Sequence, residues 1–341
     1  MKTISAQDGL GPALKEQPRV SQKTARGRWL VYTLAILGGL VLVSWPLLLN
    51  DIFFTHVATL VLLYCIGAAG LHLILRTGHV SMGHAAFMGI GAYTSVVTMM
   101  KLAWPYPLAL ATGALLAALL ALALGPIILR VRGVYFVLVT FTLGEVVRLV
   151  FVNWVPVTGG SNGIFQVPPP FPLFLSNLAY YYLALVMAAL CVGLVGRIVT
   201  SEVGRVLDAI GESERLAQST GVPVLRFKVL AFVIGCTLVG IQGSLQAHFI
   251  RYISPVSFAF SESLNFVVMN VVGGMNSLVG AMIGALFIVP LPEFLRGWVE
   301  YQHIFYGIIL ILVMAFMPSG LAGLLSRAAA ALSMRRRGDD A

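Results

Sequence analysis

The chain reads as an all-α integral membrane protein, a polytopic bundle of about ten transmembrane helices with a glycine-rich, broken pair of spans. Three observations predict this. The 341 residues are 59% hydrophobic and 10% charged, with mean hydropathy +0.92, whereas soluble domains carry about 25% charged residues. Apolar runs recur along the chain, most of them long enough for a hydrocarbon core of roughly 30 Å. The basic residues gather at the ends of these runs, as loop anchors do. The net charge of +9 therefore points to a membrane surface and not to nucleic acid.

Residues 1–28 are polar, with Lys2, Lys15, Arg19, Lys23, Arg26 and Arg28. They read as a flexible cytoplasmic tail. The polar region is long for a secretory signal, and no small-residue cleavage site follows Ser44-Trp45-Pro46. The membrane domain covers 29–321, and 322–341 form a basic cytoplasmic tail. Within the domain the expected spans are Trp29–Leu49, Ile52–Leu75, Val80–Met100, Tyr106–Leu129, Gly133–Val152, Leu178–Val199, Val229–His248, Glu262–Gly273, Ser277–Leu295 and His303–Met317. Each must be helical, because a lipid-facing backbone has to satisfy its own hydrogen bonds. Glu262–Gly273 is short for a crossing at 1.5 Å per residue. It must be tilted, broken or extended, and a re-entrant hairpin over 262–295 is the alternative to two spans.

Placing the N-terminus in the cytoplasm puts all but Lys101, Arg148, Arg251 and Arg296 of the 22 Lys and Arg on the cytoplasmic side. The C-terminus is then cytoplasmic too. The loop Asn153–Asn177 falls outside. It has no charge but carries Pro156, Pro168, Pro169, Pro170 and Pro172, which make it stiff and extended.

Residues 200–228 form a polar, charged stretch between hydrophobic runs, and land in the cytoplasm. They read as short helices separated at Gly211. Glu212 and Glu214 suit the first turn of the second helix, where the dipole favours negative charge. Gly221 is placed to end that helix in the left-handed conformation, with Pro223 following as a breaker. A capped charged helix kept between two spans presents itself to something soluble.

Several chemistries are excluded. No GxxxxGK[ST] run occurs, so the chain has no P-loop, and no HExxH occurs. His72, His79 and His84 straddle the break at Arg76–Gly78, so they share no helical face for a metal or haem. Ser81 lies in no GxSxG elbow, and carboxylates are scarce. Cys65, Cys191 and Cys236 each sit in an apolar run without metal-ligand spacing and read as buried free thiols. No enzymatic constellation is visible.

Four segments carry the candidate site. TGHVSMGHAAFMGIGAY (77–93) offers Gly78, Ser81, Gly83, His84 and Gly89 on a small-residue surface, and GGMNSLVGAMIGALF (273–287) echoes it with Gly273, Gly274 and Ser277. Such surfaces serve tight packing or an unwound stretch beside a pathway. Glu145 and Arg148, three apart in the fifth span, can pair on one face. They either line a translocation path or fix packing. VTGGSNGI (157–164) sets Gly159, Gly160, Asn162 and Gly163 in a turn or an outer docking loop.

Taken together, TGHVSMGHAAFMGIGAY, RGVYFVLVTFTLGEVVRL, VTGGSNGI, GRVLDAIGESERLAQSTGV and VVGGMNSLVGAMIGALF resemble, in this order, the branched-chain amino acid ABC-transporter permeases, most closely their M-type subunit. The resemblance runs from about Ile52 to Leu321. It implies that 200–228 is the cytoplasmic coupling segment, with Gly204, Arg205, Glu214, Ala217 and Gly221 as its coupling residues. Glu214, Ala217 and Gly221 match the family's Glu-x-x-Ala-x-x-x-Gly core, while Leu216 stands where a second alanine is common. The implied partners are two cytoplasmic ATPase subunits that hold ATP and Mg, a sister permease, a periplasmic or lipid-anchored binding protein, and membrane lipid. This chain itself would bind no cofactor. The implied setting is the bacterial inner membrane. The implied solute is a branched-chain or other hydrophobic amino acid; urea, amides and small carboxylic acids belong to the wider family. A stand-alone ion-coupled secondary transporter is the alternative class, and it would leave the capped helix without a purpose.

Overall fold

The computed structural model describes residues 51–171 and 176–295, together with positions 43, 44, 46, 301, 304, 307, 308, 311 and 320–323. The chain divides into two units, Met1–Asn50 and Asp51–Ala341, and nearly all the described residues belong to the second. Most of the expected first span, most of the last one and nearly all of both tails lie outside the described residues.

Helix α1 (Ile52–Leu75) is apolar on every side and buried along most of its length. A helix apolar all round belongs at the centre of a bundle. The Asp51 side chain caps its start by accepting from the Phe53 amide at 2.8 Å. In chain order there follow α2 (His84–Lys101), α3 (Tyr106–Ile128), α4 (Val134–Asn153) and, after a short α5 (Val155–Thr158), α6 (Asn177–Thr200). Two short polar helices follow, α7 (Glu202–Glu212) and α8 (Glu214–Ser219), and then the long α9 (Val224–Ile250). The last described helices are α10 (Phe260–Gly273), α11 (Leu278–Ile288) and α12 (Pro290–Phe294). A two-residue antiparallel pair, β1 (Ile164–Phe165) with β2 (Tyr252–Ile253), joins the loop after α5 to the end of α9.

Among the described residues, α1, α3, α4, α6 and α9 are long and apolar enough to cross a membrane. The chain from α10 to α12 meets that test only as one pair of arms turning by 117° at residues 274–277. The expected separate spans over 262–273 and 277–295 therefore form a sharply bent hairpin. Its arms touch backbone to backbone: a Cβ on Gly273 would lie 1.8 Å from the Gly280 carbonyl, and one on Gly284 1.8 Å from that of Met269. The main bundle closes the same way. Gly70 and Gly235 let α1 cross α9, and Gly91 lies under the Gly240 carbonyl. Without a hydrophobic drive between helices in lipid, such close approach supplies the packing energy.

Two boundaries differ from the sequence reading. The third span starts at His84 and not Val80, because 76–83 is turn and extended chain from Gly78 (φ +77) to Gly83. The seventh starts at Val224 and not Val229, with Pro223 in the capping position. Lys228 is thereby a helical residue facing the interior.

Candidate functional site

The polar stretch folds back onto the bundle. Gly204 sits so close to the end of α6 that a Cβ would meet the Val199 carbonyl at 2.2 Å, and Gly211 would meet that of Arg76 at the same distance. The lack of side chains at these two points lets α7 lie across the ends of α6 and α1. The helices part at Ser213, not at Gly211, and Glu212 is the last residue of α7. Ser213 is extended and its hydroxyl accepts from the Leu216 amide, which caps α8. The far end closes as a Schellman turn: Gly221 has φ +83, its amide donates to the Gln218 carbonyl at 3.0 Å, and that of Val222 to Ala217 at 3.2 Å. Ile210, Ala217 and Val224 form a small apolar cluster beneath.

Ion pairs hold this unit to the membrane helices. Arg76, at the end of α1, pairs with Asp208 of α7. Glu214 of α8 accepts from Lys228 of α9 at 2.9 Å and from Arg132, in the α3–α4 connection, at 3.2 Å. Lys228 is 2% exposed. Its ammonium also lies 3.5 Å from His79 Nε2, while His79 Nδ1 meets the Thr77 carbonyl at 2.9 Å. A neutral His79 with its proton on Nδ1 satisfies both contacts. Burial drives its pKa below the ordinary value, with the Lys228 charge adding to that and the Thr77 carbonyl opposing it. For Glu214, burial alone would raise the pKa, but the hydrogen bond and charge of Lys228, with Arg132, hold it below the usual carboxylate value. Glu214 thus turns inward. The surface α8 presents to solvent is Arg215, Leu216, Gln218, Ser219 and Thr220, with Leu216 69% exposed. On α7, Arg205 pairs with Glu202, both exposed.

The glycine segments meet at this unit. Gly78 follows the end of α1, and the extended chain beyond it is tied to α4 by the Met82 amide, which donates to Thr140 Oγ1 at 3.1 Å. Gly83 presses on the Thr140 carbonyl, and Ser81 Oγ accepts from the Gly83 amide at 3.4 Å. Helix α2 then begins inside the bundle, where the Ala85 amide donates to Ser263 Oγ of α10 at 2.9 Å and the buried His84 ring faces Phe266 edge-on. Gly273 and Gly274 (φ +116) turn the chain between α10 and α11, and Ser277 caps α11 through the Gly280 amide. The tip of this turn, Met275 and Asn276, shares a polar cavity of about 510 Å³ with Arg76, Gly78, Asp208, Gly211 and Glu212. Both broken segments and α7 therefore border one space. Gly89 lies elsewhere, packed on the rings of Phe151 and Phe258.

Glu145 and Arg148 pair at 2.8 Å on α4, each close to 30% exposed. Neither residue lines the cavity that α7 borders. The loop glycines Gly159, Gly160 and Gly163 all have positive φ. Gly163 seats the loop against Ile253, and the Tyr252 hydroxyl donates to the Asn162 carbonyl at 3.2 Å. The loop is thus fastened to the end of α9. Sequence reading missed Arg76, Arg132, Asp208, His79 and Lys228 as site residues. Basic residues beside a span look like membrane anchors, and their carboxylate partners lie up to 132 residues away. Among the described residues, no three His, Cys, Asp or Glu side chains gather as metal ligands do.

A multi-pass helical bundle with two broken segments, both bordering a space under a capped helix pair, defines a membrane transport protein. The chain belongs to the family described as "Branched-chain amino acid transport system / permease component", whose sequence model matches residues 53–314. It is 30% identical over 331 residues to the high-affinity branched-chain amino acid transport system permease protein LivM of Escherichia coli (strain K12), covering 89% of this chain and 77% of that one. It is similar to LivH of the same organism, 33% identical over 126 residues, covering 36% of this chain and 40% of that one. It also resembles the probable branched-chain amino acid transport permease protein LivH of Methanocaldococcus jannaschii, 24% identical over 278 residues and covering 75% and 87%. No solved structure matches the chain.

Proposed function

We propose that this chain is the permease subunit of an ABC importer and that α7–α8 is its docking element for a soluble ATPase. The observation that carries this is the clamp. A helix pair with an exposed outer face is joined by ion pairs and glycine contacts to the ends of α1, α3, α6 and α9. A push on the outer face would reach the spans directly. ATP and Mg would sit on two ATPase subunits, since no P-loop occurs here. A sister permease would complete the pathway, in keeping with likeness to both LivM and LivH proteins. A periplasmic or lipid-anchored binding protein would deliver the solute to the end of the bundle bearing the β1–β2 loop. The solute class, by the names of those relatives, is the branched-chain amino acids.

The pathway would run beside the segments at 76–83 and 274–277, where non-helical backbone is tolerated because it is enclosed by protein or lines a cavity. The test is uptake by the chain reconstituted with its sister permease, ATPases and binding protein. Leucine uptake that requires ATP and all four partners is expected. Uptake by the lone chain driven by an ion gradient overturns the proposal.

A further inference from the structure

Far from the clamp, a second polar group lies inside the bundle. Tyr64 of α1, Gln246 of α9, Glu262 and Asn265 of α10, and Glu293 of α12 line one cavity of about 260 Å³. Gln246 is roughly 27 Å farther along α9 than Lys228 at the helical rise per residue. The cavity therefore sits toward the end of the bundle opposite α7–α8. The remaining walls are apolar, with Leu60, Ile250, Met269 and Ile288 among them. No Lys, Arg or His occurs among its described lining residues.

The polar groups are wired to each other. Gln242 donates to Gln246 and Gln246 to the Tyr64 oxygen, both at 3.3 Å, and Asn265 donates to Glu262 Oε2 at 3.2 Å. Glu262 Oε1 is nonetheless buried with no hydrogen-bond partner. A carboxylate oxygen only accepts, and leaving it without a donor away from water is costly. Ionisable residues inside a membrane bundle are expensive and mark sites that handle charge. The complement of this cavity is a group that brings N–H donors and positive charge and carries an aliphatic part for the apolar wall.

We propose that this cavity is a subsite for a primary ammonium on a branched aliphatic skeleton, with Glu262 accepting from the ammonium and Leu60, Ile250 and Met269 holding the carbon chain. This rests on the reading of the chain as a solute-translocating permease. It assigns part of the solute selection to the membrane chain, in addition to any delivered by a binding protein.

Two measurements on the assembled transporter test it. The first is ATP-driven leucine uptake in liposomes. Glu262→Gln, which keeps size and hydrogen bonding but removes charge, should lower uptake at least tenfold, and Glu262→Asp should restore part of it. The second is thermal stability of the complex in nanodiscs with 3-methylbutylammonium or with 3-methylbutanol, which differ in the ammonium alone. The ammonium should raise the midpoint in the parent and not in Glu262→Gln, and the alcohol should do so in neither. Parent uptake of leucine with unchanged uptake in Glu262→Gln, and equal effects of the two probes, overturn the subsite while the permease reading stands. Ammonium-specific stabilisation in a parent complex that takes up no amino acid supports the subsite and overturns the transport reading.

Discussion

Lys228 is buried, and the two groups at its ammonium, Glu214 and His79, decide how α7–α8 is held. Removing Glu214 leaves that charge with the His79 ring nitrogen alone. Unpairing a buried charge costs about 3–5 kcal/mol, and the lower end applies here because Glu214 is 22% exposed. Glu214→Ala is therefore expected to lower the thermal stability of the purified chain by about 3 kcal/mol. Glu214→Ala with Lys228→Met should recover most of it, as a double-mutant cycle in scanning calorimetry would measure. The sign with pH follows from the depressed Glu214 pKa. The folded state binds fewer protons, so the stabilisation is complete above the ordinary carboxylate value of about 4.3 and is lost as pH falls through the lower folded value. The contribution measured by the same cycle should stay flat from pH 8 to about 5 and shrink only below. A contribution that fades near pH 6 would mean that His79, not Glu214, controls the clamp. These contacts were half legible in the sequence. Glu214 stood out by its motif, but its inward direction did not, because its partners, Arg132 and Lys228, come from two other segments.

At the scale of single elements, α8 is six residues long, far below the roughly 12–15 at which an isolated helix holds itself together. It exists through its Ser213 cap, its Gly221 turn, the Ala217 contact and the Glu214 clamp. Its solvent side contributes nothing to that list. Leu216→Asp is therefore expected to leave expression and stability unchanged while reducing ATPase co-purification at least tenfold. Equal recovery of the ATPase with both proteins would show that docking uses another surface. Gly221→Val should act differently. Open space surrounds Gly221, so no clash arises, but a side chain at φ +83 costs roughly 1–2 kcal/mol and loosens the end of α8. Hydrogen exchange at Val222 should rise in that variant. In the α10–α11 hairpin the glycines cannot be replaced at all. Gly273→Val would drive a side chain into the Gly280 carbonyl and should abolish recovery of monodisperse protein, whereas Gly193→Val on α6, with nothing within 4 Å, should be recovered normally.

At the scale of the whole molecule, α9 connects the ion-pair clamp to the polar cavity. Its first turns hold Lys228 in the clamp, and its last hold Gln246 and Ile250 beside the polar cavity. A displacement of α7–α8 would thus act on one end of a helix whose other end borders the cavity. The arrangement of basic residues predicts which side each end faces. A cysteine at Ala209 should react with an impermeant maleimide only from the cytoplasm, and one at Ser161 only from outside. Labelling of both from one side would overturn the orientation.

The sequence by itself determined the membrane class, most helix boundaries and the presence of a capped polar unit, because hydropathy, glycine and proline act over a few residues. It also carried the family, since the motifs recur in order. Tertiary structure decided the rest. Whether Gly89 packs or Gly78 turns, whether 262–295 crosses or bends, and which cation meets Glu214 all depend on chains that meet in space from far apart. The physical reason is that local propensity sets where a helix starts and stops, while charge pairing and backbone contact are settled by whichever neighbours the packed bundle brings within reach.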